Sequence, residues 1–274
     1  MQRRVLGRSG LEVGVVGVGT WRVFDVPPGD ERAVAIRSEV VSNAIEEGAN
    51  LFDSSPMYGS AEEVLERALG DRRADVLIAT KVWSGDVEEG LHQIGRALKY
   101  YGGVVDVYQV HNLIQCERYL PIFRRMREEG TVRAIGVTHY AHSAFGSIMR
   151  IMEREQLDCI QIPYDAADPR AAREVLPLAA ETKTGVIVMS PLGSGNLLRS
   201  TPPQSELEPL APYGVRTWAQ ALLKWVVSDE RVTVTIPATS KPERARENTV
   251  AGHEPLLPAE ERERVGWLAS RLAR

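Results

Sequence analysis

"NLFDSSPMYGSAEEVLERAL", residues 50–69, carries a strand, a turn and the start of a helix in one stretch. The apolar pair Leu51-Phe52 stops at Asp53. Ser54, Ser55 and Pro56 bend the chain, and beyond Tyr58-Gly59 apolar residues recur at helical spacing up to Gly70. The same unit recurs on both sides. Upstream, "RRVL" and "LEVGVV" flank the turn-rich "GRSG" and predict a hairpin. "GVGT" (17–20) then reads as a strand and residues 33–48 as a helix. Downstream, strands "DVLIATKV", "VVDVYQVH", "RAIGV", "DCIQI", "GVIVMS" and "RVTVTIP" alternate with helices over 87–101, 117–129, 143–155, 170–183, 216–228 and 240–250. A last amphipathic helix covers 258–273, and the Pro, Gly and Ser-rich stretch 190–214 reads as a long loop.

Eight βα units follow the hairpin. Their strands are nearly continuous apolar runs, as expected where helices cover a parallel sheet. At 274 residues, with no composition break or short-period repeat, one α/β domain over 1–274 is expected, a (β/α)8 TIM barrel with an N-terminal β-hairpin. Chemistry should then lie at the C-terminal ends of the strands.

Composition narrows the partners. A formal net charge of −4, with both signs mixed along the chain, argues against nucleic acid or an anionic membrane. No apolar run approaches the roughly 20 residues of a membrane helix. "MQRRVLGRSG" has no apolar stretch behind its arginines, so a signal peptide is not expected. Cys116 and Cys159 are isolated, which fits free thiols in a reducing cytoplasm. His139 and His142 are three apart, but no carboxylate or cysteine beside them completes a metal site.

Three successive strand ends are polar. Asp53 ends one, with Tyr58 in its loop; Lys81 stands near the end of the next; His111 ends the third. Neighbouring strands lie about 4.8 Å apart, so these side chains can converge. A lysine ending an apolar strand needs a charge partner, which Asp53 can supply. The Lys81 cation should lower the pKa of Tyr58 and make it a better general acid at neutral pH. His111 can donate a hydrogen bond to a carbonyl oxygen. Each residue by itself has an ordinary reading: a turn former, packing, a solvated strand end, a satisfied polar group. Their conjunction on one barrel face favours a site.

With these residues the sequence resembles the aldo-keto reductase superfamily. "LFDSSPMYG" is similar to its Asp-x4-Tyr-Gly segment, "IATKV" to its lysine strand and "VDVYQVHN" to its histidine strand. The likeness runs from "LGRSGLEVGVVGVGTW" to "IPATSKPERARENT". It implies an NAD(P)H-dependent carbonyl reductase in which hydride passes from nicotinamide C4 to a carbonyl carbon. Tyr58 would be the proton donor, Lys81 and Asp53 would tune it, and His111 would orient the carbonyl.

The resemblance also implies a cofactor trail. Gly19, Thr20 and Trp21 would pass beside the nicotinamide together with Asp53. Thr138 and His139 stand where relatives commonly have Ser-Asn, and with Gln161 would hold the carboxamide. Met189 replaces an aromatic residue that stacks on the nicotinamide in many relatives. Ser190, Pro191, Leu192, Gly193, Ser194 and Gly195 form the loop that would approach the pyrophosphate, through exposed N–H groups. Ile236, Pro237, Ala238, Thr239, Ser240 and Lys241 lead to a helix start, where Ser240-x-x-Glu243 matches a capping box. There Arg244 would meet a 2′-phosphate, and Glu247 and Asn248 an adenine. NADPH is therefore preferred, with NADH possible. "GVVGVG" (14–19) runs GxxGxG, not GxGxxG, so Rossmann-type binding is not expected.

Trp21, Met57 and Trp83 could wall an apolar substrate pocket with His111. The chain continues only briefly past its last helix, which suggests an open site accepting varied aldehydes or ketones. Two other classes remain: a nicotinamide-binding regulatory subunit of the same fold, and a different barrel enzyme, such as an isomerase holding phosphate after its last two strands. No partner-binding N-terminal extension is evident. Oligomeric state is not legible.

Overall fold

In the computed structural model, which describes residues 1–273, eight parallel strands surround a packed interior. The hairpin strands β1 (Arg3–Val5) and β2 (Glu12–Gly14) pair antiparallel. The barrel strands are β3 (Val18–Gly19), β4 (Leu51–Asp53), β5 (Leu77–Val82), β6 (Val105–His111), β7 (Val132–Thr138), β8 (Cys159–Pro163), β9 (Gly185–Met189) and β10 (Val234–Thr235). They lie side by side in chain order. Closure is made by bridges Val16 to Thr235 and Gly19 to Ala238, with the Gly17 and Gly19 amides donating to Thr235 and Pro237 carbonyls at 2.8 and 3.0 Å. A side chain at Gly19 would meet the Ile236 carbonyl at 2.8 Å, so glycine permits this seam.

Strand alternation divides the core in two. Leu51, Ala79, Val107, Ala134, Cys159, Ile187 and Val234 fill the barrel, and Leu6, Leu11 and Val13 of the hairpin join them. The alternate residues, such as Phe52, Ile78, Tyr108 and Ile135, pack outward against helices. Those helices are α1 (Glu31–Glu46), α2 (Ala61–Leu69), α3 (Val87–Tyr100), α4 (Cys116–Glu128), α5 (Phe145–Arg154), α6 (Arg170–Glu174), α7 (Leu176–Glu181), α8 (Gln204–Leu207), α9 (Trp218–Val227), α10 (Pro242–Val250) and α11 (Ala259–Leu272). No helix among the described residues is long and apolar enough to cross a membrane.

Three local expectations are corrected. The helix expected over 170–183 is two, α6 and α7, because Pro177 cannot donate to the carbonyl four residues back. The expected loop 190–214 contains α8 and two 3-10 segments, Gly193–Leu198 and Glu208–Tyr213. Ser240 does not cap α10: the helix opens at Pro242 with Lys241 at its cap position and no side-chain cap bond. Proline suits the first helical position and holds the preceding residue extended, which keeps Lys241 out of the helix. A capping box does occur at Thr217 and Gln220, opening α9.

Gly136 has a steric role. A Cβ there would meet the Cys159 carbonyl oxygen at 2.4 Å and Sγ at 2.6 Å. Gly136→Ala is expected to cost about 1–3 kcal/mol, read as a lower urea midpoint at unchanged slope. Stability within about 0.3 kcal/mol of wild type would show that the β7–β8 seam yields freely.

Candidate active site

The polar strand ends meet at the C-terminal mouth of the barrel. Lys81 is wholly buried, and its Nζ donates to both oxygens of Asp53 at 2.8 Å and to the Ser54 carbonyl at 2.6 Å. One ammonium facing two carboxylate oxygens is an ion pair. Burial pushes the Asp53 carboxyl up, and Lys81, Gln161 and Gln109 pull it back without cancelling the rise. Burial pulls the Lys81 ammonium down, but Asp53, Tyr58 and Glu62 outweigh it and hold the lysine above its ordinary value.

Tyr58 sits over this pair. Lys81 Nζ is 5.2 Å from its ring centroid, and the His111 ring meets it edge-on at 5.9 Å and 87°. Two successive turns aim the tyrosine: the Tyr58 amide donates to the Ser55 carbonyl, and the Tyr58 carbonyl accepts from Ala61. Pro56 follows Ser55 in the first turn, where its fixed φ is favoured. Asp25, not anticipated from sequence, accepts from the Ser60 amide at 3.0 Å and packs so close to Gly59 that a side chain there would collide with it. The expected lowering of the Tyr58 pKa is corrected. Burial raises it, Lys81 lowers it, Asp53 raises it again, and the net direction is up. The phenol is therefore protonated at neutral pH.

His111 is neutral. Burial, then Lys81 and His139, lower its pKa to about 3. Its Nδ1 lies 2.9 Å from Ser55 Oγ, and that oxygen also accepts from the Met57 amide. The Ser55 hydroxyl can donate to Nδ1, and in that tautomer the imidazole proton is on Nε2.

A second polar layer adjoins the ion pair. Gln161 Nε2 donates to Asp53 Oδ1 at 3.3 Å, and Gln109 Nε2 donates to Gln161 Oε1 at 2.8 Å. Gln109 stands on β6, in register with Gly136 of β7, and Gln161 stands on β8, in register with Thr138 of β7. Thr138 pairs in register with His111 on one side and Gln161 on the other. Its buried hydroxyl has no partner among the described residues. The His139 amide donates to the Gln161 carbonyl, and its Nδ1 accepts from the Ala141 amide at 3.0 Å. His142 lies 3.6 Å from Asp168. Thr20 Oγ1 donates to the Asp53 carbonyl at 3.0 Å and shares a second 3.0 Å contact with Ser54 Oγ.

The remaining sequence-expected residues fall in the loops around the mouth. Trp21 and Trp83 are 39% and 41% exposed; Arg22 lies over the Trp21 ring at 4.2 Å. Met57 is half-buried, and Met189 packs against the barrel interior. Ser190, Gly193, Ser194 and Gly195 all have positive φ. The expected exposed N–H pair is corrected here: the Gly193 and Gly195 amides close turns onto the Ser190 and Leu192 carbonyls. Pro191 is buried and Leu192 half-buried. Ile236, Pro237 and Thr239 are buried, and Ala238 is exposed. Lys241 and Arg244 are exposed at the start of α10. Glu247 accepts from Thr217 Oγ1 at 2.6 Å, and Asn248 is buried.

A cavity of about 690 Å³ lies between α1 and α10, away from Tyr58, with Ser240, Lys241, Glu39, Asn43 and Arg246 among its lining. Arg246 is held there by Glu46 and Glu47. The sequence reading missed this α1 wall. It also missed Gln109, Ser55 and Asp25, whose roles depend on contacts between separate strands and loops.

Polar side chains gathered at the C-terminal mouth of an eight-stranded parallel barrel are the arrangement of the α/β-barrel enzymes. The sequence model of the Aldo/keto reductase family matches residues 15–266, and the chain belongs to that family. The aldo-keto reductase YhdN of Bacillus subtilis is 26% identical over 72% of this chain and 64% of its own length. The uncharacterized oxidoreductase YqkF of the same organism is 24% identical over 95% of this chain and 94% of its own. An aldo-keto reductase from Klebsiella pneumoniae, solved in complex with NADPH, superposes with a TM-score of 0.81 at 21% identity, covering 98% of this chain and 96% of that one.

Proposed function

We propose that this protein is an NADPH-dependent reductase of aldehydes or ketones. The observation that carries the reading is the buried Asp53–Lys81 pair beneath Tyr58, with neutral His111 on the tyrosine's other side. Bound at the barrel mouth, a nicotinamide would supply the hydride that the carbonyl carbon takes up. Tyr58 donates its phenolic proton to the carbonyl oxygen, so that an alcohol and a phenolate result. Lys81 stabilises the phenolate, and Asp53 keeps the lysine charged and aimed. His111 Nε2–H orients the same oxygen, and Trp21, Met57 and Trp83 border the substrate.

The residues fit the cofactor at both ends. The orphan hydroxyl of Thr138, beside His139 and Gln161, offers a hydrogen-bonding group to a carboxamide. Gly19, Thr20, Trp21 and Met189 would flank that end, and the loop of Ser190, Pro191, Leu192, Gly193, Ser194 and Gly195 would hold the pyrophosphate. Lys241 and Arg244, exposed near Ser240 and the positive end of α10, suit a 2′-phosphate. The solved Klebsiella relative in complex with NADPH supports this choice.

Fluorescence titration is expected to give NADPH about tenfold or more tighter binding than NADH. NADPH oxidation with a panel of carbonyl compounds should then give turnover. Binding without turnover on any of them would favour the regulatory-subunit reading, and no binding of either nucleotide would remove both.

A further inference from the structure

Behind the proton-transfer cluster lies a buried carboxyl that the chemistry above does not use. Helix α2 buries Ala61, Val64, Leu65 and Ala68 at helical spacing, and Glu62 is buried with them at 5% exposure. Thr80 Oγ1 donates to Glu62 Oε1 at 2.5 Å. Thr80 and Lys81 are consecutive on β5, so their side chains leave opposite faces of the strand. Lys81 points into the barrel towards Asp53 and Tyr58, and Thr80 points outward to Glu62. The Tyr101 hydroxyl donates to the Glu62 main-chain carbonyl at 3.3 Å, fixing the turn that carries the carboxyl.

We propose that Glu62 is a positioning residue for the Tyr58 proton transfer, acting through Lys81: its charge sets how strongly the lysine supports proton release. This rests on the reading of Tyr58 as the acid. Ionised Glu62 is a second anion, after Asp53, in the field of Lys81. It offsets part of the lysine's charge and leaves less to stabilise the Tyr58 phenolate. Neutral Glu62 leaves the whole of that charge to the tyrosine.

The surroundings place this titration at neutral pH. Burial raises the Glu62 carboxyl to about 7, against the Thr80 hydrogen bond and the charges of Lys81 on β5 and Arg96 on α3. Tyr108 on β6 and Tyr100 and Tyr101 at the end of α3 also face it, and burial raises all three phenols, so they are neutral here. In the cluster itself His111 is held to about 3 and His139 is lowered by burial. Glu62 is thus a group beside Lys81 whose charge changes near neutrality.

The test is the pH dependence of kcat at saturating NADPH and carbonyl substrate. In wild type, reduction is expected to fall about three- to tenfold as pH rises through Glu62's midpoint. Glu62→Gln should remove this inflection. Thr80→Val, which takes away a bond favouring the anion, should move it upward, and this variant serves if Glu62→Gln does not fold. A difference 13C spectrum of labelled carboxyls, wild type against either variant, should assign the same midpoint to Glu62. A merely structural role would scale kcat equally at every pH and leave the midpoint in place. That result, or a wild-type profile flat across neutrality, overturns the proposal. The separate reading fails instead if Tyr58→Phe retains its rate; an inactive Tyr58→Phe with an immovable midpoint sinks the Glu62 proposal alone.

Discussion

Replacing Tyr58 by phenylalanine is expected to lower kcat for carbonyl reduction by about 10²- to 10⁴-fold while NADPH binding stays within about twofold of wild type. The substitution removes one hydroxyl and keeps the ring. The edge-on contact with His111 and the Lys81 ammonium over the ring centroid both survive it. What disappears is the proton source at the carbonyl oxygen. Burial raises the Tyr58 pKa above its ordinary value despite Lys81, so the acid form is present throughout the neutral range in wild type. The loss should therefore fall on kcat, not on cofactor affinity. Stopped-flow NADPH oxidation beside fluorescence titration separates the two. Equal single-turnover rates for variant and wild type would end the assignment of Tyr58.

The barrel and the first rank of the site were legible because both are written in local order. Each strand is an apolar run closed by a turn signal, and Asp53, Lys81 and His111 mark three consecutive strand ends. Order along the chain becomes adjacency in a parallel barrel, so four residues could be brought together from sequence position. The next rank was hidden because it depends on register. Gln109 on β6 reaches Gln161 on β8 across the intervening β7, and nothing in "VYQVH" announces that. Glu62 resembles any first-turn glutamate of an amphipathic helix until its burial against Thr80 is known. The direction of the Tyr58 shift failed for the same reason: a charge partner can be read from sequence, but the depth of burial opposing it cannot. Ser240 misled because a motif of matching spacing was overruled by Pro242 two residues on.

Asp53→Asn is expected to cost about 3–5 kcal/mol of stability at neutral pH, or roughly 6–20 °C in Tm. Asn is nearly isosteric and can still accept from Lys81, so packing changes little. The charge is what goes. Lys81 is wholly buried, and the Ser54 carbonyl is its other hydrogen-bond partner. Its folded-state pKa, held up mainly by Asp53, should drop below the ordinary lysine value once burial is unopposed. The sign of the pH effect follows. In wild type the raised Lys81 pKa gives stability that is fully present below the unfolded value and is lost as pH rises through the folded one. In the variant the unfolded chain binds the extra proton between the two pKa values, so the variant's stability rises with pH on the alkaline side. The gap between the proteins should narrow from about pH 7 towards pH 10. Adding Lys81→Met should recover much of the neutral-pH loss, because it removes the uncompensated charge instead of stranding it. Urea denaturation of the four members of this cycle at two pH values measures all of this. An Asp53→Asn protein as stable as wild type at pH 7, or a double variant no better than the single one, would mean that solvent reaches Lys81. The pair would then not be the buried anchor on which the tyrosine's alignment depends.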